Sequence, residues 1–131
     1  MLKGSCHCGK VLWTYKEALE SATACNCTVC RRYGTLWAYG YEGEEIEVLG
    51  PTKVYTRGHG HLGFHFCGHC ACVVSWRATS VGQDGRRRIA VNLRLVDDPD
   101  EIAALLIDHF DGLHSFEDLP RDGKRISDMW F

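Results

Sequence analysis

Long apolar runs are missing from this chain of 131 residues. The longest spans residues 102–107, far short of the ~20 residues a membrane-spanning helix needs, so no membrane partner is expected. The N-terminus, Met1-Leu2-Lys3-Gly4-Ser5-Cys6-His7-Cys8-Gly9, has no apolar stretch behind its lysine, so no secretory signal is expected there. The predicted location is cytoplasmic, where thiols stay reduced. An excess of one charge is missing too: 15 Lys+Arg face 17 Asp+Glu, a net charge of −2. Proteins that grip a phosphate backbone usually show a basic excess, so no nucleic-acid partner is expected and a nucleic-acid-binding zinc ribbon is disfavoured. With only 3 prolines, no repeat and no low-complexity segment, in a chain that is 45% hydrophobic, general disorder is excluded. The length predicts one domain over residues 1–131, large enough to build its own core.

Helical periodicity is scarce as well, and most of the chain reads as short strands. Val11, Trp13 and Tyr15 alternate with their neighbours after a Gly9-Lys10 turn, and Trp37, Tyr39 and Tyr41 share one face of a second strand. Strands are also predicted at 46–49, 54–57, 64–66 and 73–77. Ile89, Val91 and Leu93 alternate with Ala90, Asn92 and Arg94, and Gly82-Gln83-Asp84-Gly85 reads as a hairpin turn. One or two helical turns are expected within 27–33. Asp98-Pro99-Asp100-Glu101 has an N-cap Asp, Pro at the first position and Glu at the third. It predicts a helix running to about His109 with Ile102, Leu105 and Leu106 as its apolar stripe. Leu113, Phe116, Leu119, Ile126, Met129, Trp130 and Phe131 are expected to bring the tail back onto the body. The fold class predicted is mainly β, with one short helix in the C-terminal half.

Eight cysteines carry the chemical information, at 6, 8, 25, 27, 30, 67, 70 and 72. A disulfide scaffold is one reading, but closely spaced C-x-C pairs close strained rings, and a reducing compartment keeps thiols for metal or redox work. Zinc takes thiolates in tetrahedral sets from paired cysteines on tight turns. Cys6-His7-Cys8 and Cys67-Gly68-His69-Cys70 are two such pairs and can close a four-thiolate structural site. Cys25-Asn26-Cys27-Thr28-Val29-Cys30 offers three thiolates from one turn. Three protein ligands and one open place is the arrangement of catalytic zinc. Cys72 reads as a small buried hydrophobe. His59, His61 and His65 read as site-lining or surface residues, and His7 and His69 as neighbours of the metal turns.

These residues resemble the glutathione-dependent formaldehyde-activating enzyme family, which includes centromere-protein-V-like proteins. The matching segments are Gly4-Ser5-Cys6-His7-Cys8-Gly9, Cys25-Asn26-Cys27-Thr28-Val29-Cys30-Arg31-Arg32-Tyr33-Gly34, Phe66-Cys67-Gly68-His69-Cys70, Val91-Asn92-Leu93-Arg94 and Phe110-Asp111-Gly112. They stand in family order from residue 4 to about 112. One departure is Ala71, followed by Cys72, where the family usually places glycine. The resemblance implies a zinc-stabilised β-tent of packed antiparallel sheets with two zinc ions, a structural one on Cys6, Cys8, Cys67 and Cys70 and a second on Cys25, Cys27 and Cys30. It also implies joining of glutathione and formaldehyde to S-hydroxymethylglutathione, a carbon–sulfur lyase activity.

A free thiol is mostly protonated at neutral pH, and zinc removes that proton, so the open place is a seat for the glutathione sulfur. Glutathione's two carboxylates call for cations or N–H groups. Arg31, Arg32, Asn92 and Arg94 are the predicted substrate-binding residues. The competing readings are a zinc-stabilised binding module without turnover and a thiol redox sensor using the triplet.

Overall fold

The computed structural model describes residues 1–129. Trp130 and Phe131, expected in the returning tail, lie outside the described residues. In chain order the strands are β1 (Leu2–Ser5), β2 (Leu12–Tyr15), β3 (Ser21–Cys25), β4 (Trp37–Tyr41), β5 (Ile46–Leu49), β6 (Thr52–Thr56), β7 (Leu62–Cys67), β8 (Val73–Ala78), β9 (Arg88–Asn92), β10 (Leu106–Phe110) and β11 (Asp118–Leu119). Two one-turn helices, α1 (Cys30–Tyr33) and α2 (Ile126–Met129), and 3-10 turns at Leu93–Leu95 and Pro99–Glu101 complete the described residues. None of these helices is long and apolar enough to cross a membrane.

A small antiparallel sheet has the order β1-β2-β5, and a large one runs β11-β10-β3-β4-β9-β8-β7-β6. Period-two alternation explains why the strands form where they do. In β2, Trp13 and Tyr15 are buried while Leu12 is exposed. In the register of β1 on β2, Gly4 lies opposite Trp13. A Cβ at residue 4 would fall 2.2 Å from the Trp13 ring, so glycine there lets the indole lie against the backbone. Trp13 joins Val11, Leu36, Ile46, Val74, Val91, Leu93, Ile102 and Ile107 in the main core. A second cluster surrounds Cys27 and Cys30 and includes Trp37, Phe64 and Trp76.

The helix expected from Asp98 to His109 does not form. Its cap signals do act: the Asp98 side chain accepts from the Asp100 amide, with Pro99 at the first position. They produce one 3-10 turn. A cap specifies where a helix starts, not how far it runs, and a single turn propagates only where nothing pairs better. Here residues 106–110 pair parallel with β3, Leu106 opposite Ser21 through Phe110 opposite Cys25. Sheet pairing buries Ile107 and makes β10 the parallel neighbour in a sheet that is otherwise antiparallel. A different one-turn helix, α2, lies in the tail, where no helix was expected, and its Ile126 is buried in the main core.

This topology carries the cysteines. Cys6 and Cys8 leave the end of β1, and Cys67 and Cys70 occupy the turn between β7 and β8. Cys25 ends β3, and Cys30 begins α1.

Candidate metal centres

The sulfurs of Cys6, Cys8, Cys67 and Cys70 lie within 4.8 Å of one another, and so do those of Cys25, Cys27 and Cys30. In the first cluster, Cys6 Sγ to Cys8 Sγ and Cys8 Sγ to Cys67 Sγ are each 3.6 Å. That is too far for a disulfide. It is close to the ~3.8 Å edge of a tetrahedron whose centre is ~2.3 Å from each sulfur, the zinc–thiolate distance. Backbone amides point at the sulfurs, Val11 N–H to Cys6 at 3.3 Å and His69 N–H to Cys67 at 3.4 Å. Such donors favour the anionic form. Amides of Cys72 and Cys8 hold the Cys70 thiol down at about 5. The Lys10 amide draws Cys8 down, but burial and the neighbouring thiols outweigh it and push Cys8 up to about 11. Four crowded sulfurs cannot all shed their protons unless a cation joins them, and a divalent metal is what this donor set fits.

The turn that builds this cluster is tight. The Ala71 amide bonds Cys67 O at 2.8 Å, and Ala71 has φ +67°. This is the left-handed region, which explains why glycine suits the position and marks Ala71 as strained. Cys72 is half-buried against the core, and its thiol is pushed up by burial.

The three-sulfur cluster is held differently. The Cys30 amide donates to Cys27 Sγ at 3.3 Å, and the Trp37 indole Nε1–H donates to Cys30 Sγ at 3.4 Å. A hydrogen bond from Cys30, with amides of Cys27 and Gly112 behind it, brings Cys25 down to about 6. The hydrogen bond to Cys25, together with burial, drives Cys30 up. Phe110-Asp111-Gly112 packs beside the triplet. Asp111, 8% exposed, accepts from Asn26 Nδ2 at 3.0 Å, from the His114 amide at 3.1 Å and from the amide and hydroxyl of Ser115 at 3.2 and 3.0 Å. These donors hold its carboxyl far below the usual carboxylate range, the Asn26 bond first among them. Asn26 in turn accepts from the Leu113 amide at 3.0 Å. The triplet turn and the 110–115 loop are thus one hydrogen-bonded unit.

Beside this unit opens a cavity of about 720 Å³ with Cys25, Cys27 and Cys30 in its wall. Its cations are Arg57 and Arg88, and His59 and His61 also line it, their rings 5.7 Å apart. The four predicted substrate-binding residues are not among its lining residues, and each is placed by a local constraint. Asn92 is 5% exposed. Its Oδ1 accepts from the Leu36 and Arg94 amides, and its Nδ2 donates to Val73 O at 2.8 Å. It joins β8 and β9 to the chain entering β4. Arg94 is exposed on the following 3-10 turn. Arg31 and Arg32 are exposed on α1, and Arg32 donates to Thr28 O at 2.8 Å. Closeness to the triplet in sequence put their backbones near the metal turn, but the helical turn sends them to the outer side.

Arg57 and Arg88 line the cavity from outside the segments that carry the predicted residues. Arg88 stands two residues before Ala90 and four before Asn92, so period-two alternation puts it on their face of β9, opposite Ile89 and Val91. Arg57 donates to Thr28 Oγ1 inside the triplet, a contact no local pattern announces.

A sheet-rich chain with a closed four-cysteine cluster and an open three-cysteine cluster on a cavity is a cysteine-rich protein of the β class whose clusters could hold metal ions. Residues 1–110 match the family model of the glutathione-dependent formaldehyde-activating enzyme (GFA), and the chain belongs to that family. A crystal structure of a Rhodobacter sphaeroides protein has the same fold, at 21% identity and a TM-score of 0.61, covering 80% of this chain and 98% of that one. The comparison with curated proteins gives no match.

Proposed function

We propose that the chain is a zinc-dependent enzyme of the carbon–sulfur lyase type. It joins glutathione, or a similar small thiol, to formaldehyde or a related aldehyde, giving S-hydroxymethylglutathione. In this reading it works as a single domain in the cytoplasm with two zinc ions, a structural one on Cys6, Cys8, Cys67 and Cys70 and one with an open place on Cys25, Cys27 and Cys30. The observation that carries it is the three-sulfur cluster in the wall of a large cavity, within a chain of the GFA family. Zinc on the triplet would supply acidity to an incoming thiol, favouring the thiolate at neutral pH.

The chain's own residues supply the rest. The Cys30 amide and the Trp37 indole donate to the triplet sulfurs and fix their orientation. Arg57 and Arg88 offer their guanidinium groups to the carboxylates of glutathione. His59 and His61, in the same wall, are placed to deliver a proton to the aldehyde oxygen. In the balanced step a C–S bond forms as the C=O π bond opens, the thiol proton ends on oxygen, and no electron enters or leaves.

Native mass spectrometry of the reduced, zinc-loaded protein titrated with glutathione tests this. Two zinc ions and one retained glutathione are expected. Cys30→Ser should lose the glutathione and the second zinc while keeping the first. One zinc and no glutathione would overturn the enzyme and favour the binding module or the redox sensor.

A further inference from the structure

Neither proposed reactant accounts for the cavity's walls. Formaldehyde has two heavy atoms, roughly the bulk of two waters, or ~60 Å³. Glutathione is charged and carries no ring, so the cations and histidines suit it. Yet six aromatic side chains line the same space: Trp37, Tyr39, Phe64, Trp76, Phe110 and Phe116. They interlock before any ligand arrives. Trp37 and Phe64 have centroids 6.4 Å apart, Tyr39 and Trp76 5.8 Å, and Phe110 and Phe116 meet edge to face at 5.1 Å and 82°. Cavities of a few hundred Å³ lined by rings and a few polar groups hold ligands with a sizeable apolar body, and offset or edge-to-face rings accept a further ring.

Phe116 adds an independent observation. It is 74% exposed although it lines the cavity, and its φ is +59°. A bulky L residue in the left-handed region is an outlier, and such strain gathers at ligand sites. Its amide bonds Asp111 O at 2.7 Å, and Asp111 is tied to Asn26 between Cys25 and Cys27. The backbone of Phe116 is therefore anchored to the triplet turn while its ring stands at the mouth.

We propose that the aldehyde taken at this site bears an aromatic ring, which sits among the cavity's aromatic side chains with Phe116 closing its outer side. This rests on the reading of the site as one for thiol addition to an aldehyde. The chemistry is unchanged: the glutathione sulfur bonds to the carbonyl carbon, the π bond opens and the thiol proton passes to oxygen.

The test compares phenylacetaldehyde with formaldehyde on the zinc-loaded protein. Saturation-transfer NMR without glutathione reads binding of the ring. Exchange NMR with glutathione reads kcat/KM for each aldehyde. Saturation of the ring protons is expected, with kcat/KM at least tenfold higher for phenylacetaldehyde. Phe116→Ala should lower the ratio of the two kcat/KM values about tenfold, and Phe116→Tyr should preserve it. Absence of ring binding, or a ratio indifferent to Phe116→Ala, overturns the proposal. Formaldehyde turned over without ring binding would sink this inference alone. Phe116-dependent ring binding with neither aldehyde turned over would sink the enzyme reading and leave the aromatic subsite standing.

Discussion

Gly112→Ala should damage one cysteine cluster and spare the other. The α-carbon of Gly112 faces the triplet. A Cβ there would sit 2.8 Å from Cys25 Sγ and 2.9 Å from Cys27 Cβ. Ordinary non-bonded contact is ~3.5–4.0 Å, so roughly 1 Å has to be found. Neither neighbour yields easily. Cys25 is registered against Phe110 in the β3–β10 pair, and Cys27 Sγ is fixed by the Cys30 amide. Overpacking of this kind costs ~1–3 kcal/mol. Against it, alanine stiffens the unfolded chain and returns ~0.4–1 kcal/mol, since Gly112 lies outside the left-handed region. The net cost is about 1–2 kcal/mol, and if it falls on the metal-bound arrangement, affinity at the triplet drops about 5–30-fold. Gly68→Ala is the control in the other cluster. Its Cβ would meet Lys53 Cε at 3.2 Å, the flexible end of an exposed side chain, so both metals should stay. Zinc titration against a competing chelator, with urea unfolding alongside, reads both effects. A Gly112→Ala protein that binds its second zinc like the parent refutes the close-approach reasoning, as does a Gly68→Ala protein that loses its first.

Ala71→Gly should stabilise the zinc-loaded protein by about 0.5–1 kcal/mol in urea unfolding, because relief of the left-handed penalty exceeds the entropy glycine adds to the unfolded chain. Asn92→Ala should cost about 1–3 kcal/mol by leaving the Leu36 and Arg94 amides and Val73 O short of a partner. It should leave zinc content and glutathione binding unchanged, and loss of glutathione at full stability would return Asn92 to the substrate site. Asp111→Asn should unfold at lower urea than the parent at pH 7, and the gap should close on acidification. The folded-state pKa of Asp111 is depressed, so its contribution is complete above the unfolded value of ~3.9 and fades as pH falls through the folded value. A gap that is constant from pH 7 to pH 3 would mean that the carboxylate charge does not matter.

The cysteines were legible because metal chemistry is written in residue type and spacing. Thiols this closely paired close strained rings as disulfides and suit a metal instead, and β1, β3 and the β7–β8 turn bring the same two groups together that the spacing suggests. The strands were legible wherever apolar residues alternate with their neighbours, as in β2, where Trp13 and Tyr15 are buried and Leu12 is exposed. The 98–109 segment was not. Its cap residues are local and cap one 3-10 turn, but its partner, β3, lies 85 residues earlier at Leu106 opposite Ser21, and no local pattern carries that pairing. The cavity's cations were hidden for the same reason. Arg31 and Arg32 are near the triplet in sequence and turned outward by α1, whereas Arg57 and Arg88 are distant in sequence and brought to it by the sheet.

The aromatic wall sharpens this contrast. Trp37, Tyr39, Phe64 and Trp76 each fit an ordinary strand pattern, and any one of them alone reads as core. Only the order β4-β9-β8-β7 sets them side by side on one face, and only the hydrogen bonds of Asp111 carry Phe116 across to meet them. In the proposed reading, the cysteine clusters supply chemistry that any thiol and any aldehyde could undergo. In that same reading, the choice among aldehydes rests on side chains contributed by β4, β7, β8 and β10 and by one anchored loop. Substitutions on that face should therefore change which substrate is used before they change how many zinc ions are held.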